Sequence, residues 1–451
     1  MTGNVDMGIR PSGETPRYWQ YRGQTLVLLG GSDDDNLFQM PDVEEQLDLL
    51  AANGGNFLRN TMSDRPDLGY EIKAFGCNAD GVYDLATWND EYWDRFERFL
   101  EGTHERGIIV QIELWDRFDH SMEPWQTDPF NPKNNVNYDH ESSGLAADYP
   151  DHPCRNGQPF FYTVPELRNN QIVLPWQQAF IDRVLSLTLQ YDHVLYCVDN
   201  ETSGDQAWAR YWADYITARA TAAGAEIHVT EMWDHWDVRH ETHRATFDDA
   251  DRYRFVDISQ NSQTPGEPNW HHAQWVWHFL RARPRPMNST KIYGADTSKW
   301  TERGIDAAHG TQTFWRNLIG GFAAMRFHRP PSGHGLGETA RRNLRAARSV
   351  ADQFDFMRAE PDSDHRLINE RQTNEAYMTR VPGKQYAIYY VDGGLVGLDL
   401  RGNAGRFHLD WFDIDGECEH DADGVDGDQW VTLAAPGSGP WVALLTLEEQ
   451  G

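Results

Sequence analysis

The sequence predicts an α/β protein: a (β/α)8 TIM barrel followed by a C-terminal all-β sandwich domain. Three observations predict it. Between Thr25 and Phe356, short apolar runs alternate eight times with amphipathic helical patterns. The carboxyl ends of those runs are polar, and in a parallel barrel that end faces the loops that carry chemistry. After Pro361 the helical period disappears and short apolar runs are punctuated by Pro382-Gly383, Gly393-Gly394 and Pro436-Gly437. A chain of 451 residues exceeds what one core usually organises, so it divides into a leader and hairpin (1–24), a barrel (25–360) and a β-sandwich (361–451).

Taken in order, Tyr18 to Gln24 reads as a short hairpin and Thr25 to Leu29 as the first barrel strand, ending at Ser32 and Asp33. The helical pattern Val43 to Ala52 stops at Asn53-Gly54-Gly55, a C-cap signal. Asn56 to Asn60 is the second strand, with Arg59 at its end. Residues 62–85 and 121–165 read as long insertions, and the aromatics of the second (Trp125, Phe160, Phe161, Tyr162) suit a loop that contacts substrate. Between them lie a helix, Trp88 to Glu105, and the third strand, Ile108 to Leu114, which ends in Trp115-Asp116-Arg117. Helix Trp176 to Gln190 precedes the fourth strand, Val194 to Val198, which runs abruptly into Asp199-Asn200-Glu201. The remaining strands are Glu226 to Thr230, Phe255 to Ser259, Lys291 to Ala295 and Phe322 to Phe327, with helices between them and Glu338 to Phe356 closing the set. In the tail, six apolar runs from Glu375 to Leu447 are the sandwich strands. The acidic stretch Asp413 to Asp428 suggests a cation but lacks the twelve-residue calcium-loop spacing, and it reads as solvated turns.

Composition narrows the function. Seventy acidic residues against 40 basic ones give a formal charge of −30, which disfavours nucleic acid and anionic membranes as partners. It suits a soluble protein of a salty habitat whose ligand is neutral or cationic. Eighteen tryptophans supply flat apolar faces of the kind sugar rings stack on. Cys77, Cys154, Cys197 and Cys418 show no Cys-x-x-Cys spacing, so no zinc site and no cofactor are expected. Met1 to Arg17 has no apolar stretch of signal-peptide type, which points to the cytoplasm if the chain is full length and to secretion or the periplasm if a signal was removed.

The strand ends bring together carboxylates, an arginine, amides and tryptophans. Glycosidic cleavage needs such a set: one carboxyl to protonate the leaving oxygen and a second to attack the anomeric carbon or activate water. An Arg after strand 2, Asn-Glu after strand 4 and a carboxylate after strand 7 resemble the clan of retaining (β/α)8 glycoside hydrolases. The segment Tyr18 to Gln24 with its strand, Trp315 to Phe322 and the C-terminal β domain are similar to the apiosidase-like hydrolases, which carry a domain labelled collagen-binding. The resemblance implies Glu201 as acid/base, Asn200 on the sugar 2-hydroxyl, and Arg59 orienting a nucleophile and keeping it ionised.

That nucleophile is a Glu in the clan, whereas Asp296 follows strand 7 here. An Asp is one methylene shorter, and displacements of about 1 Å can cost a hundredfold in rate. Three roles stay open for Asp296: nucleophile, base of an inverting pair, or remnant, with Glu231 or Glu113 as second carboxylate. Trp115, Glu113, Glu231, Trp233, Asn261 and His328 complete the candidate substrate contacts, one of the two tryptophans stacking on sugar. His271, His272 and His334 read more simply as satisfied histidines, and Asp116 and Asp119 as caps. The expected activity is exo-acting, retaining hydrolysis of a plant or marine polysaccharide or oligosaccharide. The rival reading is a catalytically silent carbohydrate-binding barrel, and a metal-dependent hydrolase or lyase stands third.

Overall fold

The computed structural model describes residues 8–154, 157–296 and 299–448. Eight parallel strands form one sheet: β1 (Leu28–Gly31), β2 (Phe57–Thr61), β3 (Ile109–Asp116), β4 (Val194–Asn200), β5 (Val229–Thr230), β6 (Val256–Asp257), β7 (Met287–Ile292) and β8 (Ala324–Phe327). Their order is β5-β4-β3-β2-β1-β8-β7-β6. The seam between β5 and β6 is closed by Arg254 N–H donating to the Val229 carbonyl at 3.1 Å and Thr230 Oγ1 donating to the Phe255 carbonyl at 2.9 Å. Gly30 faces Phe57 across β1 and β2, where a Cβ would lie 2.0 Å from the Phe57 carbonyl oxygen. Only glycine permits that approach.

Eight main helices surround the sheet: α1 (Val43–Ala52), α2 (Asp90–Glu105), α3 (Leu174–Thr188), α4 (Gln206–Ala222), α5 (Glu241–Phe247), α6 (Glu267–Phe279), α7 (Ala307–Ile319) and α8 (Glu338–Gln353). Their sequences explain their placement. In α4, Asp205 caps the Ala207 N–H at 2.8 Å, and Trp208, Trp212, Ile216 and Ala220 recur at helical spacing as a buried stripe. Among the described residues no helix is long and apolar enough to cross a membrane.

The barrel floor is closed by the N-terminal strands Arg10–Pro11, Trp19–Tyr21 and Gln24–Leu26. Trp19 is fully buried there, its indole N–H donating to Asn288 Oδ1 at 3.1 Å and its ring 5.1 Å from Phe255. Asn288 in turn donates to Gln111 Oε1 at 3.2 Å, and Gln111 donates to Asp257 Oδ2 at 2.8 Å. A polar chain therefore runs through the interior of the barrel with its members partnered, as burial requires.

The C-terminal strands are β9 (Glu360–Pro361), β10 (Ile368–Asn369), β11 (Ala376–Val381), β12 (Gln385–Tyr390), β13 (Leu395–Asp399), β14 (Arg406–Asp413), β15 (Cys418–Asp426), β16 (Trp430–Ala434) and β17 (Trp441–Leu447). One antiparallel sheet has the order β9-β11-β12-β17-β14-β15 and the other β10-β13-β16. Ile368, Val396, Leu398 and Leu433 of the smaller sheet share a core with Met378, Ile388, Leu409 and Leu445 of the larger.

Three expectations about local structure change. Strand β7 begins at Met287, four residues earlier than the apolar pattern suggested, and ends at Ile292, three earlier, because its polar residues find partners inside the barrel. Thr290 Oγ1, for example, donates to Asp257 Oδ2 at 2.9 Å. The acidic stretch is not a set of turns: Cys418–Asp426 is an edge strand that pairs on one side only, with β14, and its mostly exposed side chains are charged. Finally, Trp125, Phe160 and Phe161 of the second insertion are buried, with Phe160 stacked on His120 at 3.9 Å, so they are core rather than substrate contacts.

Candidate active site

The carboxyl ends of β4, β5 and β7 converge on Glu201. Its φ of +54° puts a non-glycine residue in the left-handed region, at a cost of about 1–3 kcal/mol. Two backbone bonds hold the bend: Thr202 N–H donates to the Met232 carbonyl at 2.7 Å, and Asp234 N–H donates to the Thr202 carbonyl at 3.0 Å. The side chain, 13% exposed, meets Lys291 Nζ at 2.8 Å and accepts the Tyr293 hydroxyl at 2.9 Å, both at Oε1. Burial alone would raise the Glu201 pKa. The Lys291 charge, with hydrogen bonds from Lys291, Gln260 and Tyr293, overcomes that and pulls it down to about 2. Glu201 is therefore a carboxylate held ionised.

Asn200 stands beside it, donating to Asp116 Oδ2 at 2.9 Å and accepting from Lys291. Asp199 is buried 3.0 Å from Arg117, a support role. The pairing of Thr202 with Trp233 extends the β4–β5 ladder and brings Asp234 alongside the Glu201 bend. Asp234 is partly exposed, and burial first, then the Glu201 charge, raises its pKa, against a weaker opposing hydrogen bond from the Cys154 thiol. Two carboxyls on adjacent strand ends are thus pushed in opposite directions, one kept charged and the other toward its neutral form.

Arg59 does not face Asp296. Its guanidinium grips Glu113 in two bonds, Nε to Oε1 at 2.6 Å and Nη2 to Oε2 at 2.5 Å, and also donates to Asp35. Asp35 completes the group with Arg329 Nε at 2.7 Å, His328 Nδ1 at 3.5 Å and Arg326 at 3.7 Å. Asp35 stays well below the usual range because the Arg59 charge first, with Arg329 and Arg326, outweighs its burial.

Several expected roles change accordingly. Asp296 is exposed and accepts the Ala307 N–H at 3.3 Å, near the start of α7. It lies past the end of β7 at Ile292, whereas Lys291 and Tyr293, at that end, are the residues that contact Glu201. Ser298, which the sequence places with Asp296 at the end of the seventh strand, lies outside the described residues. Trp115 and Trp233 are core aromatics: Trp115 packs against Phe160, Phe180 and Trp212, and Trp233 donates its indole N–H to Thr246 at 2.7 Å. Neither offers a face to sugar. Glu113 is fully buried under Arg59, and Glu231 is fully buried, bonded by Thr202 and raised by burial and the Asp199 charge, so neither is set to activate a water. Asn261 is buried, its side-chain N–H donating to the Asn269 carbonyl at 2.9 Å. His328 stays neutral, since burial drives its pKa down. His271 lies 3.6 Å from Glu267, His272 lies 4.0 Å from Asp237, and His334 bonds the Ala307 carbonyl at 2.9 Å.

The sequence reading missed Lys291, Tyr293, Asp234 and Asp35. A signal existed for Lys291: a lysine at the inward end of an otherwise uncharged strand is rare unless it has a partner. Among the aromatics near these strand ends, Trp236 keeps 49% of its surface exposed, two residues past Asp234.

A (β/α)8 barrel with a β-sandwich behind it and a charged cluster at the strand ends defines the class of architecture. No protein-family model and no curated relative matches the chain. Among solved structures, one described as a glycoside hydrolase is similar over 99% of this chain and 98% of its own, at 11% identity and a TM-score of 0.66. A glycoside hydrolase family 5 structure from Bacteroides vulgatus ATCC 8482 covers 99% and 94%, at 13% identity and the same TM-score. A glycoside hydrolase family 5 mannosidase from Rhizomucor miehei covers 78% of this chain and 99% of its own, at 11% identity and a TM-score of 0.50. At these identities the likeness establishes the fold, including both domains for the first two.

Proposed function

We propose that this chain is a retaining, exo-acting glycoside hydrolase of plant or marine oligosaccharides and polysaccharides. The observation that carries the reading is the placement of two carboxyls on adjacent strand ends: Glu201 bonded to Lys291 and Tyr293, and Asp234 brought alongside its bend by the Thr202–Trp233 pairing. Their opposite pKa directions agree with it. The substrate class rests on the resemblance to apiosidase-like hydrolases, and the whole-chain similarity to two glycoside hydrolase structures supports the reaction class. The roles differ from those the resemblance implies. Glu201, ionised, is the nucleophile that attacks the anomeric carbon. Asp234, held toward its protonated form, donates to the leaving oxygen.

The coupling between the two carries the cycle forward. Once Glu201 is esterified by the sugar its charge is gone, and with it one of the two causes that raise Asp234. Asp234 then ionises more readily and takes a proton from the water that releases the sugar. Asn200 bonds sugar hydroxyls beside the nucleophile, and Trp236 supplies the stacking face.

The test is release of reducing ends from a panel of plant and marine glycans and aryl glycosides. Asp234→Asn is expected to lose about 10²–10⁴-fold on natural glycans, the range of general acid catalysis, and far less on aryl glycosides whose leaving group needs no proton. Equal losses on both would remove Asp234 from the acid role. Asp296→Asn is expected to leave kcat within about twofold, since its exposed carboxylate, among the described residues, accepts the Ala307 N–H.

The pH profile gives an independent check. The acid limb of kcat/KM should follow Glu201 at about pH 2, and Lys291→Met should move that limb upward, because burial then acts on Glu201 unopposed by the ion pair. An unmoved limb would mean that another group controls it.

A further inference from the structure

The β14–β15 hairpin brings together a donor set that the linear spacing of the cysteines conceals. Asp413 pairs directly with Cys418 across the hairpin, and His420, two residues further along β15, shares its face opposite Trp411. One ligand atom from each of Asp413, Cys418 and His420 lies within 4.8 Å of the other two. Cys418 Sγ stands 3.3 Å from His420 Nε2. A thiolate and an imidazole bound tetrahedrally to one zinc ion stand roughly 3.5 Å apart, given Zn–S of about 2.3 Å and Zn–N of about 2.0 Å. The spacing already fits.

A second observation comes from the turn. Gly416 approaches the cluster so closely that a Cβ there would lie 2.6 Å from Asp413 Oδ2 and 3.2 Å from Cys418 Sγ. Its own N–H donates to Asp413 Oδ1 at 2.8 Å, which fixes the carboxylate on that side. The turn therefore leaves room for the donors and orients one of them. The His420 ring is in turn supported by Trp441 at 5.5 Å.

We propose that Asp413, Cys418 and His420 form a binding site for a zinc-class divalent transition metal, with the solvent-facing fourth position filled by water. The mixed sulfur, nitrogen and oxygen set selects such an ion over calcium or magnesium, which take oxygen ligands. Cys418 binds as thiolate and its proton goes to solvent. The consequence reaches the barrel. The same turn docks on α8 through Glu417 with Arg345 at 2.5 Å and Asp415 with Arg342 at 3.1 Å. A metal joining both ends of the turn holds those two carboxylates in their docking geometry.

The test uses the full chain, stripped with a chelator, and titrated with Zn²⁺ by calorimetry and with Co²⁺ by absorption. One equivalent should bind, Co²⁺ should give thiolate-to-metal charge-transfer absorption, and Tm should rise with Zn²⁺. Cys418→Ser should abolish the charge-transfer band. His420→Ala should weaken binding by more than the roughly 10–100-fold that loss of a supporting partner costs. Gly416→Ala should also weaken it. A second cluster, His408, Asp410 and Asp421, lies on the opposite face of the hairpin and has no sulfur. His408→Ala should leave the cobalt band intact. Absence of the band, or Zn²⁺ affinity unchanged in both Cys418→Ser and His420→Ala, would overturn the proposal.

Discussion

Glu201→Gln is expected to abolish cleavage of every glycan the unmodified chain hydrolyses, lowering kcat by on the order of 10³-fold or more, equivalent to about 4 kcal/mol of barrier. The amide keeps the size of the side chain and its contact with the Tyr293 hydroxyl, but it cannot attack an anomeric carbon. It also leaves Lys291 facing a neutral partner. A second measurement separates chemistry from folding. The variant should still fold, with Tm lowered rather than the transition lost: the side chain keeps its volume, but Lys291, only 2% exposed, loses its ion-pair partner and retains its contact with Asn200. Sugar binding measured by calorimetry should persist. Hydrolysis at the parent rate would remove Glu201 from the reaction. Sugar binding by the parent itself with no reducing ends released from any glycan would favour the silent binding barrel, with the Lys291–Glu201 ion pair as its resting state.

The largest effect on stability is expected at Arg59. Its guanidinium is fully buried between Glu113 and Asp35, with no solvent to replace it. Arg59→Met leaves two buried carboxylates without their main cation, a change that typically costs about 3–5 kcal/mol. Thermal unfolding followed by calorimetry, with the barrel transition read separately from that of the sandwich, checks this. The deficit should shrink as pH falls, because Glu113 can then protonate in the variant. Adding Glu113→Gln to Arg59→Met should recover part of the loss for the same reason. The Asp35 contribution in the wild type has the opposite sign. The folded Asp35 titrates well below its unfolded value of about 3.9, so its contribution is present above that pH and is lost as pH falls toward the folded value. A Tm unchanged in Arg59→Met would mean that Arg326 and Arg329 suffice for this cluster.

Much of the fold was legible because barrel strands and helices differ in hydrophobic period, which needs no tertiary knowledge to read. Val194 to Val198 is uniformly apolar because β4 is buried on both faces, and Asp199-Asn200-Glu201 marks its end for the same reason. Strand β7 was misplaced because Asn288, Ser289 and Thr290 look like loop residues until their partners are known. That error moved the expected second carboxylate to Asp296. The acidic β15 was misread in the same way, since an edge strand with charged side chains lacks the apolar alternation that announces a strand.

The sequence by itself determined the architecture, the position of Asn200-Glu201 at the end of a buried strand, and Arg59 as a charge that needed partners. Tertiary structure alone decided who those partners are. Lys291 reaches Glu201 across 90 residues, Arg59 reaches Glu113 across 54, and Asp234 meets the Glu201 bend through the β4–β5 ladder. Pattern reading reports the environment of each residue along its own strand. The protonation of a carboxylate depends instead on which charges the other strands bring within a few ångströms, and that is set by barrel closure and register.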